Sequence, residues 1–139
     1  MNEDPLISII TVSFNSQETI EECILSVVNQ NFTNYEYIII DGNSNDGTIE
    51  IIDMYKSKID KVISEKDTGI YNAINKGLEL SRGKIIKILN SDDTIPNSAL
   101  ELIANYFKEN DLINEELLII GETLVIEYQG NISSRITKD

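Results

Sequence analysis

Four times along this 139-residue chain, a short run rich in β-branched residues is followed by apolar residues at helical spacing. The runs are Ile7–Ser13, Tyr35–Ile40, Lys61–Ser64 and Lys84–Leu89. The first reads Ile-Ser-Ile-Ile-Thr-Val-Ser, which suits a strand covered on both faces. After it, Ile20, Cys23, Ile24, Val27 and Val28 predict a helix, with Ser16 placed to cap it. Ile49, Ile52, Tyr55 and Ile59 predict a second helix, and Ile70, Ala73, Ile74, Gly77 and Leu78 a third. Leu100, Ile103, Ala104 and Phe107 predict a fourth. Residues 116–120 and 124–127 read as later strands. Alternation of this kind implies an α/β chain, with a mostly parallel, Rossmann-like sheet and helices on both faces. The length suits about one domain, residues 1–139, and there is no linker, repeat or low-complexity segment.

Ligands of such sheets bind beyond the carboxyl ends of the strands. Those ends carry Ser13-Phe14-Asn15, then Asp41 with Asn43-Ser44-Asn45-Asp46, then Glu65 and Asp67, then Asn90, Asp92 and Asp93. Polar groups gather at all four ends and carboxylates at three of them. The adjacent aspartates Asp92 and Asp93 repel each other, so the pair suits either a solvated helix-entry loop or a cation site.

Several chemistries are excluded. A dinucleotide fold needs a glycine-rich turn after the first strand, and Ser13-Phe-Asn-Ser-Gln17 has no glycine. There is no phosphate-binding G-x-x-x-x-G-K-[ST] loop. Histidine is absent, which removes Ser-His and Cys-His pairs and leaves oxygen ligands for any metal. The 24 acidic and 11 basic residues give a net charge of −13, unfavourable to nucleic acid as a partner. The same field disfavours a phosphorylated ligand unless a cation intervenes. No apolar stretch approaches the roughly 20 residues of a membrane span. An acidic N-terminus and the lone Cys23 predict a cytoplasmic protein.

Four segments carry a resemblance to family 2 glycosyltransferases of the GT-A fold. They are PLISIITVSFNSQETIEECILSVVNQ, YEYIIIDGNSNDGT, EKDTGIYNAINKGLELSRGKIIKILNSDD and IIGETLVI, in family order over nearly the whole chain. The third is similar to the bacterial branch that builds capsule, O-antigen or exopolysaccharide. The resemblance implies a nucleotide-sugar donor (a UDP-sugar above all), Mg²⁺ or Mn²⁺ as cofactor, inversion at the anomeric carbon, and a saccharide or lipid-linked acceptor. Acceptors of that last kind extend the expected location to the inner face of the membrane.

By position, the resemblance implies that Thr11, Ser13 and Asn15 line the nucleoside pocket and that Asp41 hydrogen-bonds the base. Asp67 is implied at the nucleoside edge, with Asn72, Asn75 and Lys76 on the adjoining wall. Leu89-Asn-Ser-Asp-Asp93 occupies the place of the family's D-x-D element, with Asp92 facing ribose or sugar and Asp93 ligating the metal.

Two departures follow. Asn90 stands where the element's first aspartate is often found, which shifts metal binding onto Asp93. Family domains are also longer, and their acceptor half, with its basic aspartate, has no counterpart before Asp139. A truncated GT-A domain is therefore expected, with homodimerisation through residues 116–128 to hide apolar sheet. The alternative is a non-catalytic module that binds a nucleotide-sugar or a partner. Lys76 and Arg82 are each read either as phosphate neutralisers or as solvated surface cations.

Overall fold

The computed structural model describes residues 3–114. In chain order the elements are β1 (Ile7–Ser13), α1 (Ile20–Val28), β2 (Tyr35–Asp41), α2 (Thr48–Met54), a 3₁₀ turn (Lys56–Lys58), β3 (Lys61–Ser64), α3 (Ile70–Leu80), β4 (Ile85–Asn90) and α4 (Ala99–Glu109). The strands form one sheet in the order β3-β2-β1-β4. All three pairings are parallel, with Ser13 opposite Asp41, Val12 opposite Asn90, and Asp41 opposite Ser64. The predicted strands at 116–120 and 124–127 lie outside the described residues.

Why this order puts helices on both faces follows from crossover handedness. The chain steps from β1 to β2 to β3 in one direction, then returns past β1 to β4. With right-handed crossovers, that reversal sends the last connecting helix to the opposite face. Accordingly Ile20, Cys23, Ile24 and Val27 of α1 and Ile52 of α2 pack with Ile7, Ile9, Tyr37 and Ile39. Leu100 and Ala104 of α4 join that layer. Ala73 and Ile74 of α3 pack instead with Ile10, Val12, Ile38 and Ile40. Alternate residues of β1 and β2 thus feed opposite layers, and β1 is buried along its whole length.

Two glycines allow close approach. A Cβ at Gly77 would overlap the Ile10 side chain, so α3 lies directly on β1. A Cβ at Gly83 would sit 2.5 Å from the Ser8 amide nitrogen. Gly83 reaches there because its own amide donates to Ser8 Oγ at 2.8 Å.

At the amino end of the sheet lies a buried carboxylate, Glu36. Its Oε1 accepts from Ser8 Oγ at 2.6 Å and from the Arg82 amide at 2.5 Å. Its Oε2 accepts from Arg82 Nε at 3.2 Å and Nη2 at 3.1 Å, and lies 3.9 Å from Lys61 Nζ. Burial alone would push this carboxyl up; the Ser8 and Arg82 hydrogen bonds and the Lys61 charge outweigh it and hold the group below its ordinary range. Arg82 is therefore a clamp on the α3–β4 connection, remote from the strand ends where a phosphate would sit.

Two expected helix boundaries differ. Ser16 does not cap α1, which begins at Ile20; the Ser16 carbonyl accepts from the Thr19 and Ile20 amides while its hydroxyl turns elsewhere. The second predicted helix breaks after Met54 into the 3₁₀ turn. Ile49, Ile52, Tyr55 and Ile59 still face one layer, so packing rather than unbroken helix produces their spacing. Among the described residues no helix is long and apolar enough to cross a membrane.

Candidate functional site

The reversal of strand order leaves a crevice between the carboxyl ends of the parallel strands β1 and β4, the switch point of an open α/β sheet. A cleft of about 840 Å³ opens there. Its walls are the turn after β1 (Phe14–Thr19), Asp46, the stretch around Asp67–Ala73, and Asn90–Asp92.

The turn after β1 and the loop after β2 are laced together. Asn15, at φ +48°, donates its amide to Ser44 Oγ at 2.8 Å and accepts from the Asn45 amide at 3.0 Å. Asparagine tolerates that left-handed backbone better than most residues. The Gln17 amide donates to Asp46 Oδ2 at 3.2 Å, and Gln17 Oε1 accepts from the Gly47 amide at 2.8 Å. The Thr48 hydroxyl donates to Asp46 Oδ1 at 2.5 Å and holds that carboxyl below its usual range. Asp41 lies beneath this lacework, fully buried. It accepts from Ser13 Oγ at 3.0 Å, Ser64 Oγ at 2.8 Å, Ser44 Oγ at 2.5 Å and the Ser44 amide at 2.8 Å. One carboxylate thereby ties the ends of β1, β2 and β3.

At the opposite wall, Asp67 Oδ1 accepts from the Gly69 amide at 3.0 Å. Its Oδ2 lies where a Cβ on Gly42 would reach within 2.8 Å, so glycine at 42 makes room for the carboxylate. Gly69 has φ +126°, which glycine alone adopts without strain. The β4 end turns through the Asp93 amide donating to the Asn90 carbonyl at 3.0 Å. The Cys23 thiol donates to the same carbonyl at 3.4 Å. Burial pushes the Cys23 thiol up and the Tyr37 phenol well up, so the layer under this acidic turn is neutral near pH 7.

Of the residues for which the resemblance implied a nucleotide or metal contact, Ser13, Asn15, Asp67 and Asp92 line the cleft. Thr11 does not: it is fully buried, 3.0 Å from Tyr37 Oη and 3.8 Å from Cys23 Sγ. Its position in β1 shares the parity of Ile7 and Ile9, which face α1. Asp41 is also withdrawn from the cleft by its four internal bonds. Asn72 accepts from the Thr68 amide at 3.3 Å and Asn75 is exposed on α3; neither lines the cleft. Lys76 pairs with Glu65 at 2.9 Å rather than facing the cleft. Asp93 is exposed just past the lining, its Oδ2 accepting from Asn90 Nδ2 at 3.4 Å.

Sequence reasoning assigned no role to Phe14, an aromatic ring 63% exposed on the cleft wall. The available signal was a large apolar residue directly after a buried strand, where a core residue has no partner. It also read Ser16 only as a helix cap and passed over Ser91, although their hydroxyls meet at 2.7 Å across the cleft floor. Among the described residues, the lining carries four carboxylates (Glu18, Asp46, Asp67 and Asp92) and no lysine or arginine.

The architecture and its strand-end cleft can be set beside known proteins. The family model described as Glycosyl transferase family 2 matches residues 8–115. TuaG of Bacillus subtilis (strain 168), assigned as a teichuronic acid biosynthesis glycosyltransferase, is 38% identical over 112 residues, covering 78% of this chain and 44% of TuaG. The poly(ribitol-phosphate) beta-N-acetylglucosaminyltransferase TarP of Staphylococcus aureus (strain N315) is 38% identical over 118 residues, covering 81% of this chain and 35% of TarP. The crystal structure of S. aureus TarS 1-349 in complex with UDP-GlcNAc superposes with a TM-score of 0.70 at 25% identity, over 76% of this chain and 32% of that one. The chain thus spans less than half the length of each of these relatives. Its parallel sheet with helices on both faces is that of GT-A glycosyltransferases, and the chain belongs to glycosyltransferase family 2.

Proposed function

We propose that the whole protein transfers a sugar from a nucleotide-diphosphate donor, a UDP-sugar, to a polysaccharide or lipid-linked acceptor with inversion, and that the cleft binds the donor. The observation that carries this reading is the cleft lining: four carboxylates and no basic residue among the described residues, at the switch point of the sheet. Such a wall repels a bare diphosphate and accepts one neutralised by a divalent cation.

The donor set fits Mg²⁺ or Mn²⁺. Only hard oxygen groups stand at the β4 end, and no three His, Cys, Asp or Glu side chains converge to enclose a metal among the described residues. Asp92 and Asp93 alone would leave much of such a cation's coordination to be completed by donor and solvent oxygens, the habit of these metals at nucleotide sites. Asp93 is its proposed ligand, and Asp92 faces the ribose or the sugar. When bound, the cation neutralises the diphosphate and stabilises it as a leaving group. The Phe14 ring offers a stacking face for the base, Ser13 and Asn15 border the nucleoside, and Asp67 closes its far edge. We assign the base that deprotonates the acceptor hydroxyl to a carboxylate of the whole protein beyond Asp139. A cytoplasmic site, at the membrane face where the acceptor is lipid-linked, suits a nucleotide-sugar donor.

Thermal denaturation with UDP, GDP and dTDP, each with and without Mn²⁺, tests this. UDP with Mn²⁺ should raise the melting temperature most; no shift with any nucleotide overturns the donor assignment. Because the chain covers 44% of TuaG, a second reading applies to it in isolation: a nucleotide-sugar-binding module without turnover. Release of free sugar from a UDP-sugar by the chain alone would contradict that module reading. Homodimerisation through residues 116–128 completes the proposal; a monomeric mass by light scattering overturns it.

A further inference from the structure

The turn that carries Asp92 and Asp93 has few side-chain fastenings. Asp92 and Asp93 are exposed, and the Asn90 amide reaches the Asp93 carboxylate at 3.4 Å. Between Asn90 and Asp92, however, Ser91 is half-buried, and its Oγ lies 2.7 Å from Ser16 Oγ, 75 residues away in sequence. Ser16 sits in the turn after β1, two residues past Phe14, and is held firmly. Its amide donates to Thr48 Oγ1 at 2.8 Å, and the Thr48 hydroxyl donates onward to Asp46. Its carbonyl accepts from the Thr19 and Ile20 amides that start α1. Its own hydroxyl proton can go to the Phe14 carbonyl at 3.3 Å while Ser91 donates to its oxygen, so both serines are satisfied together.

From this geometry we infer that the Ser16–Ser91 hydroxyl pair is a positioning device that couples nucleotide occupancy of the β1 turn to cation occupancy of the Asn90–Asp93 turn. The inference rests on the donor-site reading given above. A nucleotide that packs on Phe14 and Asn15 fixes the turn that holds Ser16; through Ser91 the same contact fixes the backbone between Asn90 and Asp92. A cation on the acidic turn acts on the β1 turn by the same route, because coupling between two binding events is reciprocal. Neither serine touches the metal in this account; each acts through the carboxylates beside Ser91.

The test is calorimetric titration of UDP into the full 139-residue chain, once with Mn²⁺ and once with EDTA, reading the dissociation constant in EDTA divided by that in Mn²⁺. Ser16→Ala and Ser91→Ala should each lower that ratio at least about fivefold, which corresponds to roughly 1 kcal/mol of coupling. The double variant should lower it no further than either single one, since one bond is lost in all three. Ser91→Thr, which keeps the hydroxyl, should restore the ratio. Unchanged ratios in both single variants, or a double variant whose effect is the product of the two, overturn the coupling. If Ser16→Ala fails to fold, Ser91→Ala decides alone, since it alters a turn on the surface. A native chain with no manganese effect overturns the donor-site reading and this inference with it; a native effect that survives in the variants overturns the coupling only.

Discussion

Phe14 directly follows Ser13, the residue opposite Asp41 in the sheet, yet Phe14 and Asp41 do opposite work. Phe14 follows a fully buried strand yet is 63% exposed, which costs burial energy unless a ligand covers the ring. Stacking of a base on an aromatic ring contributes about 1–3 kcal/mol. Phe14→Ala should therefore weaken UDP binding roughly tenfold by titration, with an unchanged melting temperature for the free chain. Asp41 is fully buried and satisfied within the protein. Its removal strands the Ser13, Ser44 and Ser64 hydroxyls, so Asp41→Ala should destabilise the free chain by about 2–3 kcal/mol in urea unfolding. A variant that loses only nucleotide affinity would show Asp41 to be a ligand residue instead. Here the limit of sequence reasoning is physical. Thr11, Asp41 and Asp67 are all polar residues at or near strand ends, and composition cannot tell a group bonded inward from one facing a cleft. Strand parity could have sorted Thr11, which alternates with Ile7 and Ile9 toward α1.

Among the elements, β1, β2 and β3 were legible nearly residue for residue, because dense β-branched runs leave little alternative; β4 proved to run one residue later than expected. The break in α2 was hidden, since Tyr55 and Ile59 keep facing the core after the helical hydrogen bonds stop. Also hidden was Glu36, one charge inside a strand whose partners, Ser8, Lys61 and Arg82, come from three other segments. Its folded-state pKa lies below the ordinary value of 4.5. The stability it contributes is thus fully present above pH 4.5 and is lost as pH falls through the lower folded value. Glu36→Gln should destabilise the chain by about 1–2 kcal/mol at neutral pH, because charge-assisted hydrogen bonds from Ser8 and Arg82 are weakened while the partly exposed Arg82 and Lys61 stay solvated. It should also flatten the decline of stability on acidification below pH 4.5, measured by urea midpoints across that range. A decline as steep as in the native chain would assign the acid sensitivity to other carboxylates.

At the scale of the whole molecule, the net charge of −13 and the carboxylate-lined cleft act in the same direction. Among the described residues, no lysine or arginine in the cleft lining offsets a diphosphate, and cations outside it are engaged elsewhere. Lys76 is paired with Glu65 and Arg82 with Glu36, while burial pushes the Lys87 ammonium down against the pull of Asp93. The convergence of acidic strand ends was legible from the alternation of strands and helices alone; the absence of basic residues from the lining was not, because it depends on where Lys76 and Arg82 turn. The most direct measurement is titration of UDP into the chain in Mn²⁺ and in EDTA, repeated with Asp93→Ala. The account predicts binding in Mn²⁺, at least about a hundredfold weaker binding in EDTA, equivalent to roughly 2.7 kcal/mol, and little response to Mn²⁺ in the variant. Equal affinity with and without the metal, or a manganese effect that persists in Asp93→Ala, would contradict it.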